Sequence, residues 1–195
     1  MKIIKKILLI IIGLSMLLIV IWGCSSVMKT VSEDEIINNP NNVYVYSSLD
    51  EPNFLFSLSY ETENLLLTVY KRNDFFGFKR YEILNNSFSQ NDFGSLYLEL
   101  TPSEKEEKSY SHIYFGKNNL GKIKKAEYCI SNGVENEMFV KDIEGDKYFV
   151  LVISNFGISS EGSYQLNKIE FKDSNNCVIY QEELAVSNEG HLIYK

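Results

Sequence analysis

Among the side chains of this chain that could do covalent or acid–base chemistry are two histidines, three cysteines and 26 acidic residues. A nucleophilic hydrolase needs a serine or cysteine, a histidine base and an orienting acid close together in space. His112 lies in YSHIYFG, where alternation with the neighbouring tyrosines predicts a histidine on the surface of a strand. His191 lies close to the last residue, which is a poor place for a rigid base. The sequence therefore predicts no catalytic residue.

Other common site motifs are missing from the sequence. The serine-rich segment GISSEGS, residues 157–163, lacks the Gly-x-Ser-x-Gly elbow of serine hydrolases, and no glycine-rich phosphate loop occurs. No Cys-x-x-Cys pair occurs, and the two histidines are far apart in sequence. Paired carboxylates of a glycosidase cannot be singled out among 26 acidic residues. We expect no metal and no cofactor.

Cys129 and Cys177 are the pair that remains when Cys24 is set aside. An even pair in an oxidising compartment allows a disulfide between them, although the count alone does not establish it. Alternation in IKKAEYCI places Cys129 on the face opposite Ala126 and Tyr128. The alternative is two unrelated thiols in strands, because a bridge needs Cα atoms within about 7 Å.

The best candidate for a recognition feature is the aromatic and basic segment RNDFFGFKRYE, residues 72–82. Aromatic side chains beside cations can hold a partner chain or a sugar, and the glycine lets another backbone approach closely. The residues of this candidate patch are Phe75, Phe76, Phe78, Lys79, Arg80 and Tyr81. The alternative is a core role, in which Phe76 and Phe78 share an inner strand face and Phe75 or Lys79 points outward.

The amino-terminal segment predicts export from the cytoplasm. Three lysines among the first six residues precede an uncharged apolar stretch from Ile7 to Trp22. This pattern is typical of a secretory signal, and the positive-inside bias carries the rest of the chain outward. As a helix the stretch spans about 24 Å, short of a hydrocarbon layer of roughly 30 Å. The uncharged segment extended to Met28 would span about 33 Å, so an uncleaved transmembrane anchor stays open.

The residues Ile21, Trp22, Gly23 and Cys24 resemble the lipobox of bacterial lipoprotein signals. In such signals the cysteine sulfur receives a diacylglyceryl group, and cleavage then leaves that cysteine as the first residue. The resemblance implies lipidation of Cys24 and removal of residues 1–23. Trp22 departs from the pattern, since that position is usually small, and a tryptophan also suits the interface end of a spanning helix. Either anchor places the folded part outside the cytoplasm, on the cell membrane.

Composition indicates a globular, strand-rich protein with an acidic surface. The chain has 195 residues, 45% of them hydrophobic, with 13 Tyr and 12 Phe against 3 Pro and 1 Trp. Aromatic residues in this proportion favour pleated, half-buried surfaces. Without the three early lysines, the 19 basic residues fall to 16 against 26 acidic ones, a net charge of −10. We expect no nucleic-acid partner, because phosphate binding needs a clustered basic face.

The pattern after the amino-terminal segment predicts an all-β, antiparallel sandwich-like fold. Residues 24–42 form a polar tether, in which Ser32 and Glu35 have the spacing of a capping box and predict a short helix from Glu33 to Asn38. From Val43 onward, short apolar segments alternate with turn residues about every eight to twelve positions, as in antiparallel sandwiches.

Two packed β-subdomains are expected within this sandwich. The first covers residues 43–101 and the second covers residues 111–195, with the charged segment 102–110 as a linker or exposed loop. Asn73 and Asp74 mark the turn of a hairpin in the first subdomain. The polar run 173–176 supplies the turn between two strands of the second.

Strand patterns within residues 64–182 are similar to those of small surface-tethered proteins of low-GC Gram-positive bacteria. The similarity is carried by YKRNDFFGFKRYEIL, IYFGKNNLGKIKKAEYCI, KYFVLVIS and KIEFKDSNNCVIYQE. The resemblance implies architecture and location, and it carries over no catalytic residue.

Together these features predict a membrane-tethered extracytoplasmic protein that acts as a non-catalytic envelope binding or interaction module. Its expected partners are the membrane, through a lipid on Cys24 or an uncleaved helix, and an envelope protein or glycan. The alternatives are a small cell-wall-directed hydrolase that uses carboxylates and a structural spacer or immunity-type protein.

Overall fold

Short apolar segments separated by turn residues fold this chain almost entirely into antiparallel strands, as a computed structural model shows. The structure describes residues 11–17, 30–48, 52–75, 77–89, 93–100, 109–131, 135–159, 162–186 and 192–194. The strands form packed sheets, so the predicted all-β, sandwich-like fold is confirmed.

The described elements begin with a helical segment, α1, at residues 11–17. The remaining strands and helix are β1 (Val31–Ser32), α2 (Glu33–Ile37), β2 (Asn42–Ser47), β3 (Phe54–Glu61), β4 (Asn64–Phe75), β5 (Phe78–Phe88), β6 (Phe93–Leu100), β7 (Ser109–Lys117), β8 (Lys125–Ser131), β9 (Asn136–Asp142), β10 (Tyr148–Ser159), β11 (Gly162–Lys172), β12 (Val178–Val186) and β13 (Leu192–Tyr194). A single 3-10 turn, Asn119–Gly121, is described between β7 and β8.

The first layer is a sheet with the strand order β1-β5-β4-β3-β2. In the β4–β5 hairpin Phe75 pairs with Phe78, and Gly77 in the turn has a φ of 83°. The predicted turn at Asn73 and Asp74 is therefore wrong, because both residues pair within the ladder. The chain reverses at the glycine because a tight hairpin turn needs a residue that tolerates positive φ.

The middle layer consists of β6, β7 and β10, and both of its faces are buried. In β7, Ile113 and Phe115 face the first layer, whereas Tyr114 faces the third. In β10, Val150 faces the first layer and Leu151 faces the third. Strands that are covered on both faces have near-continuous apolar sequences. The run FVLVI at residues 149–153 is the clearest example in this chain.

β11 connects the middle layer to the third layer. Its residues 162–164 pair with β10, whereas residues 165–172 pair with β8 and the opposite edge pairs with β12. The third layer has the strand order β13-β12-β11-β8-β9. Ile169 and Phe171 of β11 contribute to a second hydrophobic core between this layer and the middle one.

Residues of both predicted subdomains share the core between the first and middle layers, and the change of sheet falls earlier than the predicted subdomain boundary. β6 lies within the predicted first subdomain, residues 43–101, but it pairs with β7 in the middle layer. Its Leu98 packs in one cluster with Phe56 and Leu67 of the first layer. β6 therefore joins the strand that follows it in the chain. Most of the predicted linker 102–110 lies outside the described residues.

The predicted helix after Ser32 is confirmed and covers Glu33–Ile37. Ser32 Oγ accepts a hydrogen bond from the Glu35 N–H at 3.2 Å, and the Glu35 carboxylate accepts one from the Ser32 N–H at 2.6 Å. Ile36 is 2% exposed and packs on Leu55 of the first layer. The later part of the predicted polar tether is thus folded onto the outer face of this sheet.

Most of the predicted anchor, including Cys24, lies outside the described residues. Across the described segments, every helix is too short or too polar to cross a membrane. Residues 11–17 are helical and exposed. Lipidation and the uncleaved helix both stay predictions.

Candidate functional site

Among its described residues, the predicted recognition patch is exposed only at the tip of the β4–β5 hairpin. Phe78 is 72% exposed, and Lys79 beside it is exposed as well. The alternative in which Phe78 fills the core is wrong, because the tip extends past the layer: a Cβ added to Gly77 would have no atom within 4 Å. The side chain of Phe75 and the whole of Phe76 lie outside the described residues.

Two residues of the predicted patch hold the amino-terminal segment. The Arg80 guanidinium donates to the Thr30 carbonyl oxygen at 2.6 Å and to its hydroxyl at 3.2 Å. Tyr81 is 5% exposed and donates its hydroxyl to the Glu33 carboxylate at 3.4 Å. Burial and the neighbouring Glu33 charge raise the pKa of Tyr81. Arg80 and Tyr81 therefore have structural roles in docking α2.

Cys129 and Cys177 are free thiols, so the predicted disulfide is not formed. Cys177 follows the turn at the end of β11, where Lys125 lies opposite Lys172. Cys129 lies in β8, four residues beyond Lys125, which corresponds to about 13 Å along a strand. A bridge needs Cα atoms within about 7 Å. The alternative of two unrelated thiols describes the structure.

His112 is buried, so its predicted place on a strand surface is wrong. It is 1% exposed and stacks on Tyr114 with ring centroids 4.5 Å apart. The third layer covers the face of β7 on which alternation places both rings. Burial lowers the pKa of His112 to about 4, so the ring is neutral at physiological pH.

Glu182 is an inward-facing acid in the same interlayer space. Its neighbours on that face of β12, Tyr180 and Leu184, belong to the second hydrophobic core. Burial raises the pKa of Glu182, and the Tyr114 hydroxyl interacts with its carboxylate. Within the described segments no three His, Cys, Asp or Glu side chains are grouped so that they could hold a metal ion. His191 lies outside the described residues.

An ion-pair ladder covers the outer face of the third layer beside Cys129. Lys172 contacts Glu127 and lies 2.9 Å from Glu170, and Lys125 lies 2.8 Å from Glu127. Hydrogen bonds from the two lysines lower the pKa of Glu127. Opposite charges alternate along the ladder, so it offers little net charge to a ligand.

The strand beside this ladder, β9, is the candidate functional site. In the described part of the chain β9 pairs only with β8, so its other side is a sheet edge. Three consecutive apolar residues are exposed on it: Met138 at 64%, Phe139 at 37% and Val140 at 64%. Met138 and Val140 face outward with the ladder, whereas Phe139 stacks on Tyr128 at 5.5 Å on the inner face.

The β9 edge is regular, which suits it to accept another strand. All seven residues of β9 pair with β8 without a shift of register. β5, which β1 covers only over Arg80 and Tyr81, is interrupted at Leu84, and the edge strand β2 shifts register after Asn42. Bulges disrupt the ladder and protect an edge from pairing. The exposed Ile83 of β5 therefore lies on a protected edge, whereas the apolar residues of β9 do not.

Charged residues flank the apolar triplet of β9 on both sides. Glu137 is exposed before it, and Lys141 follows it. The Lys141 amino group donates to the Val152 carbonyl oxygen at 3.3 Å, which fixes β9 against the middle layer. A sheet edge presents unpaired backbone N–H and C=O groups, and these bind an extended chain. The arrangement can therefore bind a polypeptide strand.

Comparisons with protein-family models, curated proteins and solved structures found no match to this chain. We therefore infer a function from the geometry of β9 and its neighbours.

Proposed function

We propose that this protein is a membrane-tethered extracytoplasmic interaction protein, without catalytic activity, that binds a partner polypeptide as an added strand on β9. The observation that carries the proposal is the exposure of Met138, Phe139 and Val140 on a regular edge. An added strand gains main-chain hydrogen bonds, and the alternating side chains provide specificity.

Apolar burial and backbone hydrogen bonds both favour the added strand. Complete burial of a Met or Val side chain is worth about 1.5–3 kcal/mol, and each hydrogen bond adds about 1 kcal/mol net. Ordering a flexible partner and losing its free motion oppose binding. The edge therefore suits a partner held nearby, because confinement raises its effective concentration.

The amino-terminal anchor would confine the domain to the membrane surface. Arg80 binds Thr30, which lies six residues after Cys24. Six extended residues reach at most about 20 Å. The first layer would then stay close to the membrane, and we expect the partner of β9 in the same envelope.

The intact mass of the membrane-extracted protein tests the anchor. A chain that starts at Cys24 and carries added lipid mass supports the lipoprotein form. An unmodified chain that retains residues 1–23 rejects lipidation and supports the uncleaved helix. Recovery of the chain only in the soluble fraction contradicts tethering in either form.

Site-specific photo-cross-linking in cells tests the binding edge. A benzophenone amino acid in place of Val140 is expected to give a covalent product with an extended segment of a second polypeptide, mapped by mass spectrometry. The matched control is the same substitution at Ile83, which is 61% exposed on β5. Equal yields at both positions, or no product at either, would contradict binding at β9.

An activity assay separates this proposal from a cell-wall hydrolase. The purified full chain is expected to release no sugar or peptide fragments from isolated cell walls. Release of fragments that persists through purification would contradict a non-catalytic role.

A further inference from the structure

We propose that the strand added to β9 belongs to a second copy of this chain, with the two β9 strands antiparallel about a two-fold axis at Phe139. The inference rests on the proposed function of the β9 edge and names its occupant. It is carried by the sequence of β9, which is complementary to itself in this one register.

Symmetry and strand geometry limit the registers that two copies can adopt. Residues directly opposite each other in an antiparallel pair lie on the same face of the sheet. Neighbouring residues of one strand lie on opposite faces. A symmetric pair of β9 strands must therefore be centred on a residue. A centre between two residues would place an inward-facing residue opposite an outward-facing one.

The register centred on Phe139 places complementary side chains opposite each other along the whole strand. Glu137 of each copy lies opposite Lys141 of the other, which gives two pairs of opposite charge. Met138 lies opposite Val140 twice, and Phe139 lies opposite its own copy. Opposite charges and paired apolar residues are the cross-strand combinations that stabilise antiparallel sheets.

The two adjacent registers lack this complementarity. A centre at Met138 would place Glu137 opposite Phe139. A centre at Val140 would place Phe139 opposite Lys141, and Met138 opposite Asp142. Each of these registers pairs a charge with an apolar residue, so the register centred on Phe139 is the favoured one.

The surroundings of β9 are compatible with the pairing. Asn136, Glu137, Met138, Phe139, Val140 and Asp142 are all exposed. Lys141 is half-buried and donates to the Val152 carbonyl oxygen. Because an ammonium group has three donors, this hydrogen bond does not by itself prevent an ion pair with Glu137 of a second copy. Pairing would join the five strands of one third layer to the five of the other and remove the exposed edge. Tethering of both copies to one membrane would favour the encounter.

Charge reversal and charge exchange test the register, with the full chain in detergent and its mass measured by light scattering. Glu137→Lys is expected to raise the dissociation constant of the dimer by about tenfold, because two like-charged pairs replace two opposite-charged pairs. The double variant Glu137→Lys with Lys141→Glu is expected to return to within about threefold of the original value. The matched control, Glu61→Lys at the exposed end of β3, is expected to change nothing.

A cysteine placed at the two-fold axis gives a second test that does not need the Lys141 variant to fold. In a Cys129→Ser, Cys177→Ser background, Phe139→Cys is expected to form a covalent dimer on mild oxidation in membranes. Opposed residues have Cα atoms about 4.5–5.5 Å apart, which suits a disulfide. Val140→Cys is the control, because Met138 lies opposite it.

The outcomes separate this inference from the proposed function. Equal cross-linking by Phe139→Cys and Val140→Cys, or no recovery in the exchanged double variant, overturns the self-pairing register. A photo-cross-link from Val140 to a different protein also overturns it, although that result supports β9 as a binding edge. Absence of any photo-cross-link from Val140 contradicts both the binding edge at β9 and the pairing of two β9 strands.

Discussion

Burial of His112 makes the stability of the fold depend on pH. The folded-state pKa is about 4 against an ordinary value of 6.5. As the pH falls from 6.5 towards 4, the unfolded chain binds a proton at this residue and the folded chain does not. The neutral, buried His112 therefore makes its full contribution to the free energy of unfolding above pH 6.5, and about 3 kcal/mol of that free energy is lost by pH 4. We expect urea denaturation to show this fall in the free energy of unfolding.

The variant His112→Phe isolates this effect, because it keeps a ring against Tyr114 and removes the titration. Its free energy of unfolding is expected to fall less than that of the unmodified protein between pH 7 and pH 4. Glu182 acts in the opposite sense, since its raised pKa makes the folded chain bind a proton first on acidification. Both proteins retain Glu182, so the comparison cancels its effect. Parallel pH profiles would contradict the burial of a neutral histidine.

The exposure of single residues is the feature that sequence alone could predict least. Alternation indicates which residues share a strand face, but not which face another layer covers. His112 is predicted on a surface and is buried, whereas Phe78 is exposed and does not take the core role that its strand position also allowed. For the same reason, the sequence alone did not indicate that β9 has exposed apolar residues. NEMFVKDI reads as a strand, and only the strand order shows that Met138 and Val140 lie on an edge. Their one local signal is an apolar triplet between charged residues.

Burial of both faces of the middle layer predicts that truncations on either face are equally harmful. Ile113 of β7 faces the first layer and Leu151 of β10 faces the third, and they are 0% and 2% exposed. Either change to alanine is expected to lower the free energy of unfolding by about 2–5 kcal/mol. Chemical denaturation measures both values. A cost under 1 kcal/mol for one variant alone would mean that its face lacks a packed layer.

The capping box of α2 predicts a smaller and more local effect. Ser32→Ala removes the side-chain acceptor of the Glu35 N–H, and loss of such a cap costs about 1 kcal/mol. Hydrogen exchange at the Glu35 amide is expected to accelerate as the helix end opens. Ser47→Ala on an exposed position of β2 is the control and should leave that amide unchanged. Equal exchange in both variants would show that the cap does not stabilise α2.

Elements determined by residues close together in the sequence, such as a capped helix or a turn, could be predicted. The strand with which each strand pairs could not. Ser32 and Glu35 predict α2, and the run 173–176 predicts a turn that the structure contains, with the Asn176 N–H donating to the Asp173 carbonyl at 3.1 Å. The pairing of β6 with β7 and the division of β11 between two layers depend on contacts distant in the chain. No local pattern specifies them.

At the scale of the whole molecule, the fold class follows from composition and the layer number follows from packing. Aromatic and β-branched residues in short alternating segments predict strands with one buried face. The run FVLVI at 149–153 departs from alternation, and that departure corresponds to a strand with two buried faces. Three layers bury such a strand, whereas two separate two-layer subdomains would leave one of its faces in water.

The stability of the folded part is expected not to depend on the amino-terminal anchor. Within the described part of the chain, the residues that build both hydrophobic cores all follow Thr30. Cys24→Ala is therefore expected to abolish lipid addition, measured by intact mass, and to leave the melting temperature of the folded part unchanged. Cys177→Ala, at an exposed free thiol, is the control and should retain the lipid mass. A lower melting temperature for Cys24→Ala alone would mean that the anchored segment also stabilises the sheets.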